Sequence, residues 1–283
     1  MILNMNTLIE ELRDLKLAIF DLDGVVYRGK ALISDVDKVI KTLKEISVQV
    51  VYNSNNSTAT RKMYVERLNK MNIASEENDF YTSASITSSE ITKLKQDSNI
   101  FIIGEIGLQK ELEAKGHHII TDEQRYEEVD FVIVGLDRHF TYEKLAIAQR
   151  CILEGHAQFY ATNADSTLPA ATRILPGAGV MVNALRTCTS QEPIKIFGKP
   201  SPFGINLILE ERNINPEYAG IFGDRLNTDI LAGNRAGIKT IAVLTGITSE
   251  EEITRVKERT ARSPDQASLI PNLVFSSLKD IFY

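Results

Sequence analysis

The feature that most constrains this chain is an alternation of apolar runs and helical patterns that occurs at both of its ends. Residues 17–20, 36–43, 48–52 and 63–68 read in turn as strand, helix, strand and helix. That succession builds a parallel sheet covered by helices. The same alternation returns later, with 205–209 helical, 218–222 extended, 230–236 helical and 238–244 extended. The two ends are therefore expected to share one sheet. Between them, 100–103, 108–112, 131–134, 142–152 and 157–161 form a complete strand and helix pattern of their own. The economical arrangement is one α/β unit inserted into another: a discontinuous core of residues 1–95 plus 193–283, interrupted by an insert of 96–192. The Ser/Thr-rich piece 82–89 reads as the start of a helix near the first joint.

At 283 residues, with 43% hydrophobic and 25% charged residues, the chain can bury a sizeable core and does not have the composition of a disordered one. Its formal charge of -6 offers no basic footprint, so nucleic acid is not expected as a partner. Cys151 and Cys188 are the only thiols. They are too few for a disulfide framework, lack metal-type spacing, and suit a reducing compartment. The first fourteen residues carry acids and lack a basic stretch followed by an apolar one, and no apolar run of about 18 residues follows. No membrane association is expected, and a cytoplasmic location follows by elimination.

Four polar clusters stand where strands end. The first is Asp21-Leu22-Asp23-Gly24, directly after the apolar residues 17–20. Ligands of open α/β sheets gather at the carboxyl ends of strands, and a turn at Gly24 can bring both carboxylates around one pocket. Alone, the pair would be read as two acids capping a turn. The second is Asn53-Ser54-Asn55-Asn56-Ser57-Thr58, ahead of a helix at Thr60 or Arg61. Such a cluster serves equally as a helix cap or as an anion cradle. The third is Gly198-Lys199-Pro200-Ser201 and the fourth is Gly223-Asp224-Arg225-Leu226-Asn227-Thr228-Asp229. In isolation they read as a solvated lysine and as acids capping the next helix.

Taken together the four supply a complete set for phosphoryl transfer, which needs a nucleophile, neutralised phosphoryl oxygens and a proton for the leaving alcohol. Asp21 can be the carboxylate nucleophile. Asp23 can protonate the leaving oxygen and then activate water. Asp21, Asp224 and the backbone carbonyl of Asp23 suit Mg²⁺, which takes oxygen ligands. Ser54, Asn55 and Lys199 can hold the remaining phosphate oxygens.

These motifs, in this order, resemble those of the haloacid dehalogenase superfamily of phosphatases over nearly the whole chain. Asp-Leu-Asp-Gly-Val-Val-Tyr-Arg-Gly, Ser-Asn-Asn-Ser, Gly-Leu-Asp-Arg at 135–138, Ala-Thr-Asn-Ala-Asp at 161–165, Pro-Gly-Ala-Gly at 176–179, Gly-Lys-Pro-Ser-Pro and Gly-Asp-Arg-Leu are similar to the NagD-like branch. That branch includes phosphoglycolate, pyridoxal-phosphate and para-nitrophenyl-phosphate phosphatases. The resemblance implies a Rossmann-like parallel-sheet core with an inserted α/β cap domain that controls substrate access. It implies Asp21 as nucleophile, Asp23 as acid and base, Ser54, Asn55 and Lys199 as phosphate binders, and Asp224 as metal ligand. Asp229 would orient the metal's waters or the lysine, and Asn56 would bind phosphate by its backbone or shape the loop. A cap loop selects the substrate in this branch, and its counterpart is 163–173. Asn163, Asp165, Leu168, Pro169 and Arg173 are similar to the phosphoglycolate type, the loop is about a residue shorter, and the histidines of the pyridoxal-phosphate type are missing. Asp165 and Arg173 are thus expected to touch a small phosphorylated metabolite, such as phosphoglycolate, glycerol phosphate or a sugar phosphate. Because relatives commonly dimerise through the cap, a homodimer is implied as well.

Three rivals share parts of this pattern. A phospho-accepting receiver module would carry its phosphoaspartate on a later strand than the acidic pair and would have no hundred-residue insert. A nucleotide-binding or structural protein on the same sheet would not need every acid in place. A phosphomutase or phosphotransferase would keep every core residue and differ in excluding water.

Overall fold

The computed structural model describes residues 7–169, 173–262 and 268–283. Part of the N-terminal stretch, 1–6, and positions 170–172 of the 163–173 loop lie outside the described residues. The chain divides into two compact units: 1–54, 65–80 and 199–283 in the first, and 55–64 with 81–198 in the second. The sequence places the joints at 95/96 and 192/193. In the structure the helix Ser83–Leu94 belongs to the second unit, because it packs on the helix Ile106–Ala114, where Ser88 Oγ donates to the Glu111 carbonyl at 2.7 Å.

The first unit holds the strands Leu273–Phe275, Lys239–Val243, Ala219–Gly223, Leu17–Phe20 and Gln49–Ser54, in that order, of a six-stranded sheet whose last strand, Phe80–Thr82, is where the chain passes from the first unit to the second. Leu17–Phe20 is central, and its pairings with Ala219–Gly223 and Gln49–Ser54 are parallel. It is a run of four fully buried apolar residues, as expected for a strand covered on both faces. The chain lays down one side of this sheet first and then returns to the other, so the order reverses between Leu17–Phe20 and Ala219–Gly223. A crevice opens at such a point, outside the carboxyl ends of the strands. The register aligns those ends: Phe20 pairs with Phe222 on one side and Tyr52 on the other. The Phe20 and Phe222 rings stack at 4.7 Å. Asp21, Asn53 and Gly223, the next residue on each strand, therefore come side by side.

The second unit has its own parallel sheet, ordered Lys195–Ile196, Gln158–Ala161, Phe131–Val134, Asn99–Ile103 and His118–Ile119. Phe101, Val132, Val134, Phe159, Val182 and Leu185 are among the residues of its core. A short antiparallel hairpin, Thr167–Pro169 with Ile174–Pro176, follows the strand Gln158–Ala161. Among the described residues no helix is long and apolar enough to cross a membrane.

Candidate active site

The first unit gathers Asp21, Lys199, Asp224 and Asp229 at the crevice. Asp21 is the first residue past its strand, tied to the neighbouring strand by its N–H donating to the Phe222 carbonyl at 2.9 Å. The chain then turns: the Leu22 carbonyl accepts from the N–H groups of Val26 and Tyr27 at 2.9 and 3.1 Å, and Gly24 adopts φ +88°. This conformation favours glycine. A two-residue hairpin, Tyr27–Arg28 with Ala31–Leu32, completes the loop.

Lys199 is the hub. Its side chain is 4% exposed, and Nζ donates to Oδ1 of Asp21 at 2.6 Å, Oδ1 of Asp229 at 2.6 Å and the Asn53 carbonyl at 2.8 Å. Three oxygens of the first unit thus surround the ammonium. Asp229 reaches the site from a single π-helical turn, Leu226–Ile230, whose Ile230 N–H returns to the Arg225 carbonyl at 3.2 Å. Such turns often occur at functional sites. Its Oδ2 accepts from the Arg225 N–H at 3.1 Å.

Asp224 is held differently. Oδ2 accepts from the Ile247 N–H at 2.9 Å, but Oδ1 is buried and accepts no hydrogen bond. A carboxylate oxygen buried bare calls for a positive partner. Asp21, Asp224 and Asp229 form a group whose ligand atoms lie within 4.8 Å of one another. With both Asp229 oxygens engaged, Asp21 and Asp224 are the better donors. An oxygen-only set with an orphaned carboxylate oxygen fits a hard divalent cation. Asp23 is not in this carboxylate group; the expectation for it concerned its backbone carbonyl.

The charges explain the protonation behaviour. Three carboxylates face one ammonium in a buried place. Burial pushes the Asp21 carboxyl up to about 8, with Asp229 and Asp224 adding to the rise and Lys199 opposing it. Burial likewise raises Asp224 to about 6, aided by Asp229. For Lys199 burial works against the charge, yet Asp21 and Asp229 outweigh it and its pKa is raised. Asp23 is exposed at the rim. The protein around it raises its carboxyl, while Arg67, the Gly29 backbone and Arg225 pull it down.

The remaining expected residues are placed as follows. Ser54 is half-buried at the end of the strand Gln49–Ser54. Asn55 and Asn56 belong to the second unit. Asn55 Nδ2 donates to both Asp165 oxygens, at 3.2 and 3.1 Å. Asn56 Oδ1 accepts from the Thr58 N–H and hydroxyl, each at 2.8 Å, so its side chain shapes the turn before the helix Arg61–Asn69. Arg173 is exposed just ahead of the strand Ile174–Pro176.

The structure adds several participants to the residues expected from the sequence. The Asn53 carbonyl holds Lys199, and Gly246 lies against Asp224, where an added Cβ would stand 1.9 Å from Oδ2. Arg67 sits 3.6 Å over the Tyr27 ring and donates to the Gly29 carbonyl, bracing the loop that carries Asp23. Gly246 could have been found, since it lies three residues past the carboxyl end of Lys239–Val243. A backbone carbonyl and a loop brace leave no residue-type signal.

Known proteins similar to this chain fall in one family. Residues 18–118 match the family model described as haloacid dehalogenase-like hydrolase, and 196–280 match the one described as HAD-hydrolase-like. The acid sugar phosphatase of Staphylococcus haemolyticus is 34% identical over 83% of this chain and 87% of its own length. Among solved structures, 4-nitrophenylphosphatase from Thermotoga maritima superposes with a TM-score of 0.86 at 33% identity, covering 96% of this chain and 98% of that one. The glycerol phosphate phosphatase from Mycobacterium tuberculosis, solved in complex with magnesium, has a TM-score of 0.84 at 26% identity, with coverages of 97% and 78%. From its site and from these matches, the chain belongs to the haloacid dehalogenase-like hydrolases, as an enzyme of their phosphatase group.

Proposed function

We propose that this enzyme is a Mg²⁺-dependent phosphatase that hydrolyses phosphomonoesters of small metabolites through an aspartyl-phosphate on Asp21. The observation that carries the reading is the arrangement of Asp21, 2.6 Å from the buried Lys199, beside an Asp224 oxygen that lacks a partner. Asp21 and Asp224, with the Asp23 carbonyl, would hold the cation. When bound, the cation supplies charge neutralisation for the phosphoryl oxygens.

In the first step an Asp21 oxygen attacks phosphorus, the bond from phosphorus to the ester oxygen breaks, and Asp23 gives its proton to the departing alkoxide. Ser54 and Lys199 hold the phosphoryl oxygens, with the backbone of Asn55 and Asn56. In the second step Asp23, now ionised, takes a proton from water as that water attacks phosphorus. The bond to Asp21 breaks, free phosphate leaves and both acids are restored. The raised pKa of Asp23 suits a group that must both give and take a proton. Asp229 serves by fixing Lys199 and the Arg225 backbone.

The substrate class is small. Relatives named for acid sugar, nitrophenyl and glycerol phosphates support that range. Arg173 would pair with a carboxylate such as that of phosphoglycolate. The pattern of two cysteines without pairing suits a cytoplasmic enzyme. The test is turnover of a phosphomonoester panel with Mg²⁺ by the wild type and by Asp21→Asn and Arg173→Ala. Asp21→Asn should abolish every activity, whereas Arg173→Ala should reduce phosphoglycolate hydrolysis and spare 4-nitrophenyl phosphate. Retained turnover by Asp21→Asn would overturn the mechanism.

A further inference from the structure

Asn55 is the residue directly after Ser54, and four hydrogen bonds converge on it from its own unit. Its carbonyl accepts from Ser83 Oγ at 2.6 Å and from Asn163 Nδ2 at 2.8 Å. Its Nδ2 donates to the two Asp165 oxygens at 3.2 and 3.1 Å. Asn163 in turn orients Asp165, accepting its backbone N–H on Oδ1 at 3.1 Å. Ser83 and Asn163 are buried, and a Cβ on Gly198 would stand 2.8 Å from Asn55 Oδ1. The amide is thus held from several sides. A carboxylate that accepts two hydrogen bonds from one amide within a half-buried network is strongly committed.

We propose that Asp165 is a positioning residue: it holds Asn55 by its side chain, so that the loop following Ser54 keeps the shape that binds phosphate. Asp165 then acts on every substrate alike rather than reading the leaving group. The inference rests on the proposed role of that loop in phosphate binding. Loss of a charge-assisted hydrogen bond is worth roughly tenfold in affinity.

The experiment measures competitive inhibition by inorganic phosphate, together with kcat and KM for 4-nitrophenyl phosphate, glycerol phosphate and phosphoglycolate. The proteins are wild type, Asp165→Ala, Asp165→Asn, Asn55→Ala and the Asn55→Ala/Asp165→Ala double variant. Asp165→Ala should weaken phosphate about tenfold and raise all three KM values by a common factor. Asp165→Asn, which keeps an acceptor oxygen, should lose less. The double variant should be no worse than Asn55→Ala, because the two residues act through one contact. Additive losses, or a loss confined to one substrate with phosphate inhibition unchanged, would overturn the proposal. If Asn55→Ala weakens phosphate and neither Asp165 variant does, the positioning role alone falls. If Asn55→Ala leaves phosphate affinity unchanged, the phosphate-binding role of the loop falls instead.

Discussion

The ammonium of Lys199 lies 2.6 Å from Oδ1 of Asp21, with both side chains largely withdrawn from water. The same nitrogen also serves Asp229, so one cation balances two acids. Removing one partner of a buried ion pair leaves the other uncompensated and costs about 3–5 kcal/mol. Lys199→Met is expected to lower unfolding stability by about that amount in urea titrations, in addition to its loss of turnover. An unchanged midpoint would show that the acids rearrange to satisfy each other.

The raised Asp21 and Asp224 carboxyls make a pH prediction with a definite sign. Their folded values, about 8 and about 6, lie above the ordinary carboxylate value of 3.8. The folded state therefore holds more protons than the unfolded one, and this contribution to stability is full below the ordinary value and lost as pH rises through 6 and 8. A cation needs these groups ionised. The rise in Tm on adding Mg²⁺, relative to EDTA, should grow as pH increases through that window, and calorimetry should show protons released on binding. A Tm gain independent of pH would contradict the assignment of these two acids.

Asp224→Asn tests the orphaned oxygen. The amide oxygen can still accept from Ile247, so the fold should persist. Disturbing a group that merely orients a metal ligand costs about 10–100-fold in metal affinity, and removal of a ligand charge should exceed that. With one buried charge gone, the metal-free protein should melt at a higher temperature than the wild type. Weak Mg²⁺ binding accompanied by a lower metal-free Tm would assign Asp224 a structural rather than a ligand role.

Much of this site was legible because its residues interrupt regular patterns. Asp21 and Asp224 each follow a continuous apolar strand, where a charge has no structural reason to be unless a crevice opens. Asp229 was legible as an acid beside the metal's waters or the lysine, and in the structure it stands 2.6 Å from Lys199; the π turn that carries it there leaves no pattern in the sequence. The tie between Asn55 and Asp165 was not legible: 110 residues separate them, and a single polar pair leaves no periodicity. The hairpin Tyr27–Arg28 with Ala31–Leu32 has strands of two residues, too short for alternation to register. The helix Ser83–Leu94 reads as a helix from its own residues, but its unit is decided by the helix it packs on.

Gly246→Ala tests how closely the loop is fitted to Asp224. Its Cβ would stand 1.9 Å from Oδ2 and 2.3 Å from the Asp224 Cβ, so the carboxylate must move. The expected outcome is a raised Mg²⁺ requirement, with the dependence of rate on metal shifted by about tenfold or more. Gly237→Ala serves as a remote control: its Cβ would meet nothing within 4 Å, and its φ of +71° brings a backbone strain that Gly246 does not have, so it should cost stability and leave the metal dependence unchanged. A shift of the metal dependence by Gly237→Ala as large as that by Gly246→Ala would show that the effect does not come through Asp224.

The central claim is a covalent phosphate on Asp21, and Asp23→Asn with 4-nitrophenyl phosphate tests it most directly. Nitrophenolate leaves without a proton, so Asp21 can still be phosphorylated, but water then lacks its base and the second step stalls. Acid quenching, reduction with borohydride and peptide mapping should find Asp21 converted to homoserine, after a burst of nitrophenolate stoichiometric with enzyme. A burst with the modification at another residue, or steady turnover with Asp21 unmodified, would contradict the account.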